Sequence, residues 1–135
     1  MKIYAISDLH GQLEGLDPKG MDLVLIAGDF ARLEHLDFIG VCNQVDWVQR
    51  KFCAWCANYP QTKFCLTPSP HFGSVELTEA LHRARPRYAL CGHIHSGDHK
   101  AYELAHANGS TTLIRNISRL NEDYRIAYEP FVFEL

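Results

Sequence analysis

Three short apolar runs, each followed closely by aspartate or histidine, are the clearest feature of the hydrophobic pattern. They cover residues 2–7, 22–27 and 87–91, and their nearly continuous apolar character is typical of strands covered on both faces. The carboxyl ends of parallel strands meet at one edge of a sheet, where ligands commonly bind. The pattern therefore predicts that polar residues after the three runs converge on one site at a sheet edge.

Two helices are predicted between these strands. Apolar residues recur at intervals of three and four over residues 41–58, which predicts a helix with one buried stripe. A second helix is predicted over residues 74–84, with Ser74 as its N-cap, and a strand over residues 62–67 separates the two helices. The stripe of the first helix consists of Val41, Val45, Val48, Phe52 and Trp55.

The last third of the chain has the pattern of antiparallel strands. Residues 101–104 and 111–115 read as two arms of a hairpin that turns at the Asn-Gly pair 108–109, and residues 131–135 read as a final strand. The predicted order is β-β-α-β-α-β followed by antiparallel strands. This order predicts an α/β sandwich with a mixed β-sheet, formed as a single domain over residues 1–135.

Composition and charge narrow the class of protein and of partner. The chain has 135 residues, a formal net charge of −3 and 47% hydrophobic residues, as in an ordinary globular domain. Its Lys and Arg residues are scattered, so we expect no binding of duplex nucleic acid, whereas a small phosphorylated substrate or nucleotide is compatible with this charge pattern. No apolar run is long enough to span a bilayer and no signal peptide is visible. The odd number of cysteines, five, lacks a disulfide framework, which predicts reduced thiols and a cytoplasmic location.

The residues that follow the three strands are oxygen and nitrogen donors without cysteine: Asp8, His10, Asp29, His93 and His95. This donor set suits divalent Mn, Fe, Zn or Mg with exchangeable positions better than a closed structural zinc site, and Mn²⁺ is the cation that we expect. Residues at i and i+2 in a turn can both point into one pocket. A lone Asp-x-His or Gly-Asp after a strand is often only a turn, whereas the three motifs together favour a metal site.

The same motifs carry a resemblance to a known family. Asp-x-His at 8–10, Gly-Asp at 28–29 and Gly-His-x-His at 92–95 resemble the motifs of the calcineurin-like metallophosphoesterase superfamily. Residues 108–118 and 130–135 resemble the endings of its small phosphodiesterase-like branch. The resemblance implies a metallophosphoesterase-like α/β sandwich and a metal-dependent phosphoesterase, acting as a phosphodiesterase or small-molecule phosphatase.

The resemblance also implies roles for individual residues. Asp8, His10, Asp29 and His95 match ligands of the family's first metal. Asp29 would bridge to a second metal that His93 helps to hold. Arg32 lies where a basic residue can contact a substrate phosphate, although a solvated loop arginine is an equal alternative.

The chain departs from the family pattern in its centre. It has no Gly-Asn-His block, and Thr-Pro-Ser-Pro at 67–70 stands where a further metal-binding histidine is expected. The family fold would then be reduced by loss of a central segment, which leaves an unpaired sheet edge and predicts a homodimer. His71 can replace a lost ligand or acid/base group, or be an ordinary loop histidine. Asn58 reads better as a helix C-terminal residue than as a remnant of the missing block.

Two functions follow from this pattern. The first is a phosphoesterase that activates water for attack on phosphorus at a di-metal or reduced one-metal site. The alternative is a catalytically weak or inactive module of the same origin that binds a metal or a nucleotide. A redox or zinc pair at Cys53 and Cys56 is a third interpretation, but buried inert thiols in the predicted helix are favoured over it. The sequence predicts surface or loop positions for four further histidines, which are His35, His82, His99 and His106.

Overall fold

The structure, a computed structural model, describes residues 1–29, 31, 38–67, 75–96 and 99–135. The order of its elements confirms the predicted β-β-α-β-α-β arrangement followed by antiparallel strands. No helix among the described residues is long and apolar enough to cross a membrane. The elements are β1 Lys2–Ser7, β2 Leu23–Ala27, α1 Phe38–Trp47, a π-helical turn Val48–Phe52, α2 Cys53–Ala57, β3 Lys63–Thr67, α3 Val75–Ala84, β4 Tyr88–Cys91, β5 Ala101–Ala105, β6 Thr111–Asn116 and β7 Phe131–Glu134.

The described strands form two mixed sheets, not the one mixed sheet that the sequence predicts. The first sheet has the order β3-β2-β1-β7, with β1, β2 and β3 parallel and β7 antiparallel to β1. The second sheet has the order β4-β6-β5, with β4 parallel to β6 and β5 antiparallel to it. The α/β class is thus observed. The prediction that the three strands end at one edge of the same sheet is wrong, because β4 pairs with the later strand β6 and belongs to the second sheet.

Backbone hydrogen bonds join the two sheets at the carboxyl ends of β1, β4 and β6. The amide of Ser7 donates to the carbonyl of Ile117 at 2.9 Å, and the amide of Ile117 donates to the carbonyl of Cys91 at 2.7 Å. Ser7 and Ser118 also form an isolated parallel bridge. The residues after β1 and after β4 are therefore brought together across the sheets.

Strand β1 is buried on both faces, as its apolar run predicts. On one face Tyr4 and Ile6 pack with Phe52 of the π-helical turn, whereas Ala5 on the other face packs with Ile117. Burying a large aliphatic side chain stabilises a fold by about 1.5–3 kcal/mol. Since β1 lies in the middle of this packing, the loop that leaves its carboxyl end starts from a fixed position.

The predicted helix over residues 41–58 is not regular. It begins at Phe38 and includes the π-helical turn Val48–Phe52. A π-helical turn adds a residue and rotates the following side chains around the axis. Phe52 is consequently buried and Trp55 packs beside it, whereas Val45 of the predicted stripe is exposed.

The two cysteines of the Cys-x-x-Cys pair were expected to be buried, and the structure shows that they are not fully buried. Cys53 is exposed and Cys56 is partly buried, and both are free thiols. Burial, with a smaller effect of Cys53, raises the pKa of Cys56 to about 11, so its unreactive thiol form prevails at neutral pH. Asn58 follows α2 directly and donates from its amide to the carbonyl of Trp55 at 3.1 Å, as its predicted helix-terminal position requires.

His82 and His106 are not isolated surface histidines. His106 is buried, its Nδ1 lies 3.0 Å from Nδ1 of His82, and its Nε2 lies 2.8 Å from Oγ1 of Thr112. Because Thr112 Oγ1 donates to the carbonyl of Pro86 at 2.5 Å, it accepts from His106 Nε2–H. Nδ1 of His106 is then the acceptor for His82. This chain of hydrogen bonds joins α3 to the second sheet.

The His82–His106 contact predicts that acid destabilises the fold. Burial lowers the pKa of His106, and His82 and Arg85 lower it further. The unfolded chain therefore binds more protons than the folded protein below the ordinary histidine pKa of about 6.5, and stability is lost as the pH falls through the folded value. We expect urea unfolding midpoints to fall between about pH 7 and about pH 5, and to fall less in His106→Gln. Equal pH dependence in both proteins would contradict this assignment.

Candidate metal centre

The loop after β1 has an unusual backbone conformation. Asp8 and His10 have φ angles of 53° and 43°, in the left-handed region that residues other than glycine seldom adopt. His10 is held there by a hydrogen bond of 2.9 Å from its amide to the carbonyl of Asp29, which follows β2. His93, which follows β4, also has a positive φ of 70°. Such strained conformations persist only where the surrounding structure holds them in place, and they cluster at functional sites.

Three of the predicted ligands meet at this position. One ligand atom from each of Asp8, His10 and His95 lies within 4.8 Å of the other two. This spacing suits donors around one cation, since metal–ligand bonds to oxygen and nitrogen are about 2 Å long. Asp8 and His10 are buried, and His95 is partly buried. Loops from both sheets therefore supply one group of donors.

The hydrogen bonds of Asp8 leave one of its oxygens for a cation. Its Oδ2 accepts from Ser7 Oγ at 2.7 Å, from the His93 amide at 2.5 Å and from Ser118 Oγ. Its Oδ1 is buried and has no hydrogen-bond partner among the described residues, and the same holds for Nδ1 of His10. Buried polar atoms without partners are costly. A divalent cation would satisfy both, so these residues fit a metal.

The lowered pKa of His10 and the hydrogen bond of His95 suit ligation. Burial lowers the pKa of His10, and this effect outweighs the opposing influence of Asp29 and Asp8. His10 is therefore neutral near pH 7, which is the form that binds metals. Nδ1 of His95 lies 3.1 Å from the carbonyl oxygen of Asn121, which can only accept a hydrogen bond. Nδ1 of His95 thus carries the proton, and Nε2 keeps its lone pair for a cation.

Asp29 and His93 form a second, more exposed pair. His93 Nδ1 lies 3.7 Å from Asp29 Oδ2, and the two side chains are 59% and 51% exposed. Asp29 is not part of the group formed by Asp8, His10 and His95. The pair instead lines an open cavity of about 580 Å³ next to that group. The cavity is lined by His10, Asp29, His93, Ile94, His95, Ser96, Glu122 and Tyr124.

The two catalytic residues predicted from the sequence, Arg32 and His71, lie outside the described residues. So does Ser74, the predicted N-cap of the second helix, and so do residues 68–70. The roles of these residues stay predictions.

The end of β6 and the segment that follows it supply contacts that the sequence did not predict. Tyr124 lines the cavity, and its ring centroid lies 5.1 Å from that of His10 and 5.0 Å from that of His95. Asn116 donates from Nδ2 to the carbonyl of Ile94 at 2.6 Å, which ties the histidine loop to the end of β6. The available signal was the turn-forming sequence Asn-Glu-Asp-Tyr at 121–124.

A buried arginine supports the loop after β1. Arg119 is 4% exposed, and its Nη1 donates to the carbonyl of Gln12 at 2.9 Å while its Nη2 donates to the carbonyl of Glu14. Burial lowers the pKa of Arg119, although Tyr4, Glu129 and Glu14 oppose this effect. The guanidinium thus fixes the chain just beyond His10. A buried arginine gives no local sequence signal, because its partners are backbone carbonyls far along the chain.

Comparison of the chain with family models, with curated proteins and with solved structures finds no match. The function proposed below therefore depends on the geometry of the site and on the motif resemblance of the sequence.

Proposed function

We propose that this protein is a metal-dependent phosphoesterase that hydrolyses a small phosphodiester or phosphomonoester. The observation that carries the proposal is the meeting of Asp8, His10 and His95, with Asp8 Oδ1 and His10 Nδ1 buried and lacking partners among the described residues. These three side chains would hold a divalent cation, for which we propose Mn²⁺, although the donor set also suits Fe, Zn²⁺ and Mg²⁺. The motif resemblance to calcineurin-like metallophosphoesterases supports the same proposal.

The roles of the chain's residues follow from their positions. A bound divalent cation supplies Lewis acidity toward a phosphate oxygen and activates water for attack on phosphorus. Asp8 and His10, which are buried, would hold the cation together with His95, whose Nε2 keeps its lone pair. Asp29 and His93 line the cavity and are about half exposed, so they can contact a phosphate ester and donate or accept a proton. The open cavity suits a small phosphorylated substrate or a nucleotide.

A second candidate function is a module that binds a metal or nucleotide with little or no turnover. The observation that favours it is the composition of the exposed pair. Among the described residues, no further His, Cys, Asp or Glu completes a group of three with Asp29 and His93. A second cation would be held weakly there. Loss of the acid/base group of the missing Gly-Asn-His block would typically lower the rate by about 10²–10⁴.

Hydrolysis of a chromogenic phosphodiester and a chromogenic monoester, with and without Mn²⁺, tests the proposal. We expect turnover that depends on Mn²⁺ and is lost with a chelator. Asp29→Asn should reduce it by about 10–100-fold, the usual effect of a residue that supports a metal site. Asp46→Asn is the matched control, since Asp46 is an exposed residue of α1 that pairs with Arg50.

The outcomes separate the two functions. Turnover that requires Mn²⁺ and is retained in Asp46→Asn but reduced in Asp29→Asn supports the enzyme. Calorimetric binding of Mn²⁺ without turnover above that of Asp29→Asn favours the binding module. Absence of both binding and turnover contradicts both functions.

A further inference from the structure

The segment that follows Leu120 is a tight turn whose conformation is held by one side chain. Oδ1 of Asn121 accepts from the amides of Asp123 and Arg125 at 3.1 and 3.0 Å. The amide of Asn121 in turn donates to the carbonyl of Arg125 at 2.9 Å. We call residues 121–125 the Asn121 turn. An asparagine that accepts from amides two and four residues onward fixes a turn that the backbone alone would not hold.

The Asn121 turn is anchored to the fold on both sides. Leu120, which precedes it, is fully buried and pairs with Ile126 in an isolated antiparallel bridge. Gln12, in the loop after β1, donates from Nε2 to the carbonyl of Tyr124 at 3.0 Å. Tyr124 has a φ of 57°, a strained value for a residue with a side chain. The turn therefore has one defined position relative to the loop that carries Asp8 and His10.

The carbonyl oxygen of Asn121 connects this turn to the candidate metal centre. It accepts from the amide of Tyr124 at 2.9 Å within the turn and lies 3.1 Å from Nδ1 of His95. These two contacts use both lone pairs of the oxygen. Its direction is set by the turn, and the turn is set by the Asn121 side chain. Loss of that side chain would thus move the acceptor that orients the His95 ring.

We propose that Asn121 is a positioning residue for the metal centre. It holds His95 in the tautomer with the proton on Nδ1 and directs Nε2 toward the cation shared with Asp8 and His10. This inference rests on the proposed function for its metal, and it adds a residue that no motif of the sequence assigns. Outer partners of metal-binding histidines typically change metal affinity by about 10–100-fold when they are removed.

Calorimetric titration of the full chain with Mn²⁺ tests this role. Asn121→Ala removes Oδ1, the acceptor for the amides of Asp123 and Arg125, and is expected to weaken Mn²⁺ binding about 10–100-fold because the main-chain carbonyl is no longer held in place. Asn121→Asp keeps an oxygen at the same place and should bind within about threefold of the wild type, which makes it the rescue variant. Asn108→Ala is the matched control. Asn108 also accepts from an amide two residues onward, that of Ser110 at 3.2 Å, but it lies in the exposed β5–β6 hairpin.

A second measurement reads the His95 ring without metal. Long-range ¹H–¹⁵N NMR spectra of the apo-protein at neutral pH should show the proton of His95 on Nδ1 in the wild type, Asn121→Asp and Asn108→Ala. In Asn121→Ala the spectrum should shift toward the other tautomer. If Asn121 had a purely structural role, Asn121→Ala would change the free energy of unfolding but would leave the His95 proton on Nδ1.

Each outcome decides a separate question. Unchanged Mn²⁺ affinity and an unchanged His95 tautomer in Asn121→Ala overturn the inference and leave the proposed function standing. Equal weakening in Asn121→Ala and Asn108→Ala also overturns it, because the effect would then be general destabilisation. A wild type that binds no Mn²⁺ overturns the proposed function together with the metal-directing part of the inference. The tautomer spectra still decide whether Asn121 orients His95.

Discussion

Asp8→Asn is expected to abolish Mn²⁺ binding without unfolding the protein. The amide oxygen of asparagine can take the place of Oδ2 and accept from Ser7, Ser118 and the His93 amide. The amide NH₂ then takes the place of Oδ1, where it can neither bind a cation nor carry charge. Because a ligand is lost, we expect Mn²⁺ affinity to fall by more than the roughly 10–100-fold cost of losing an outer partner. Phosphoesterase turnover should fall to background.

Stability measurements on the apo-proteins give this prediction a sharper form. The asparagine variant should stay close to the wild type in stability, because its amide oxygen keeps the three hydrogen bonds of Oδ2 and its NH₂ group replaces an Oδ1 that already lacks a partner among the described residues. Asp8→Ala should be less stable, because it leaves the buried hydroxyls of Ser7 and Ser118 without their acceptor at about 1–3 kcal/mol each. Urea unfolding of the three proteins and calorimetry with Mn²⁺ provide the measurements. Wild-type affinity for Mn²⁺ in Asp8→Asn would remove Asp8 from the ligand set.

Gly92→Ala is the second substitution with a large expected effect, and it acts on stability and on the metal centre together. A Cβ at position 92 would overlap Ser7 Oγ and lie 2.5 Å from Asp8 Oδ2 and 2.6 Å from Ser7 Cβ. Both neighbours are fully buried, so neither can move aside without disturbing the contact between the two sheets. Overpacking of this kind costs about 1–3 kcal/mol and occasionally more, and we expect a value at the upper end.

Gly20→Ala is the matched control for this prediction. Gly20 has a φ of 77°, and no atom of the described residues lies within 4 Å of the place its Cβ would take. Its substitution should cost about 1–2 kcal/mol from backbone strain alone. Mn²⁺ binding should persist in Gly20→Ala and be lost or strongly weakened in Gly92→Ala. Urea unfolding and calorimetry on both variants decide this, and normal Mn²⁺ binding by Gly92→Ala would contradict the close packing of Gly92 on Asp8.

The secondary structure was largely predictable from the sequence because its signals are local. The predicted strand over residues 2–7 matches β1, and the strand predicted over residues 22–27 begins one residue later, at Leu23. The Asn-Gly pair at 108–109 correctly marks the turn of the β5–β6 hairpin, where Gly109 has a φ of 82°. Each of these elements depends on a run of neighbouring residues and on one kind of backbone turn.

The departures from prediction arise where distant residues compete. The apolar run of β4 cannot indicate whether it joins β2 and β3 or pairs with β6, because it fits either sheet equally well. The regular spacing from Val41 to Trp55 hides the π-helical turn, which places Phe52 on the core at the cost of regular helix geometry. His106 reads as a surface residue until Thr112 and His82 are brought against it.

The sequence by itself determined which residues can bind a cation, because the donor types of Asp8, His10 and His95 and their places after apolar strands are local properties. Only the tertiary structure decided which donors meet, that Asp8 Oδ1 is buried without a partner among the described residues, and that the Asn121 carbonyl faces Nδ1 of His95. These donors meet because β4 pairs with β6 and both strands are joined to β1 by backbone hydrogen bonds. This pairing is set by packing between distant segments and leaves no local pattern in the chain.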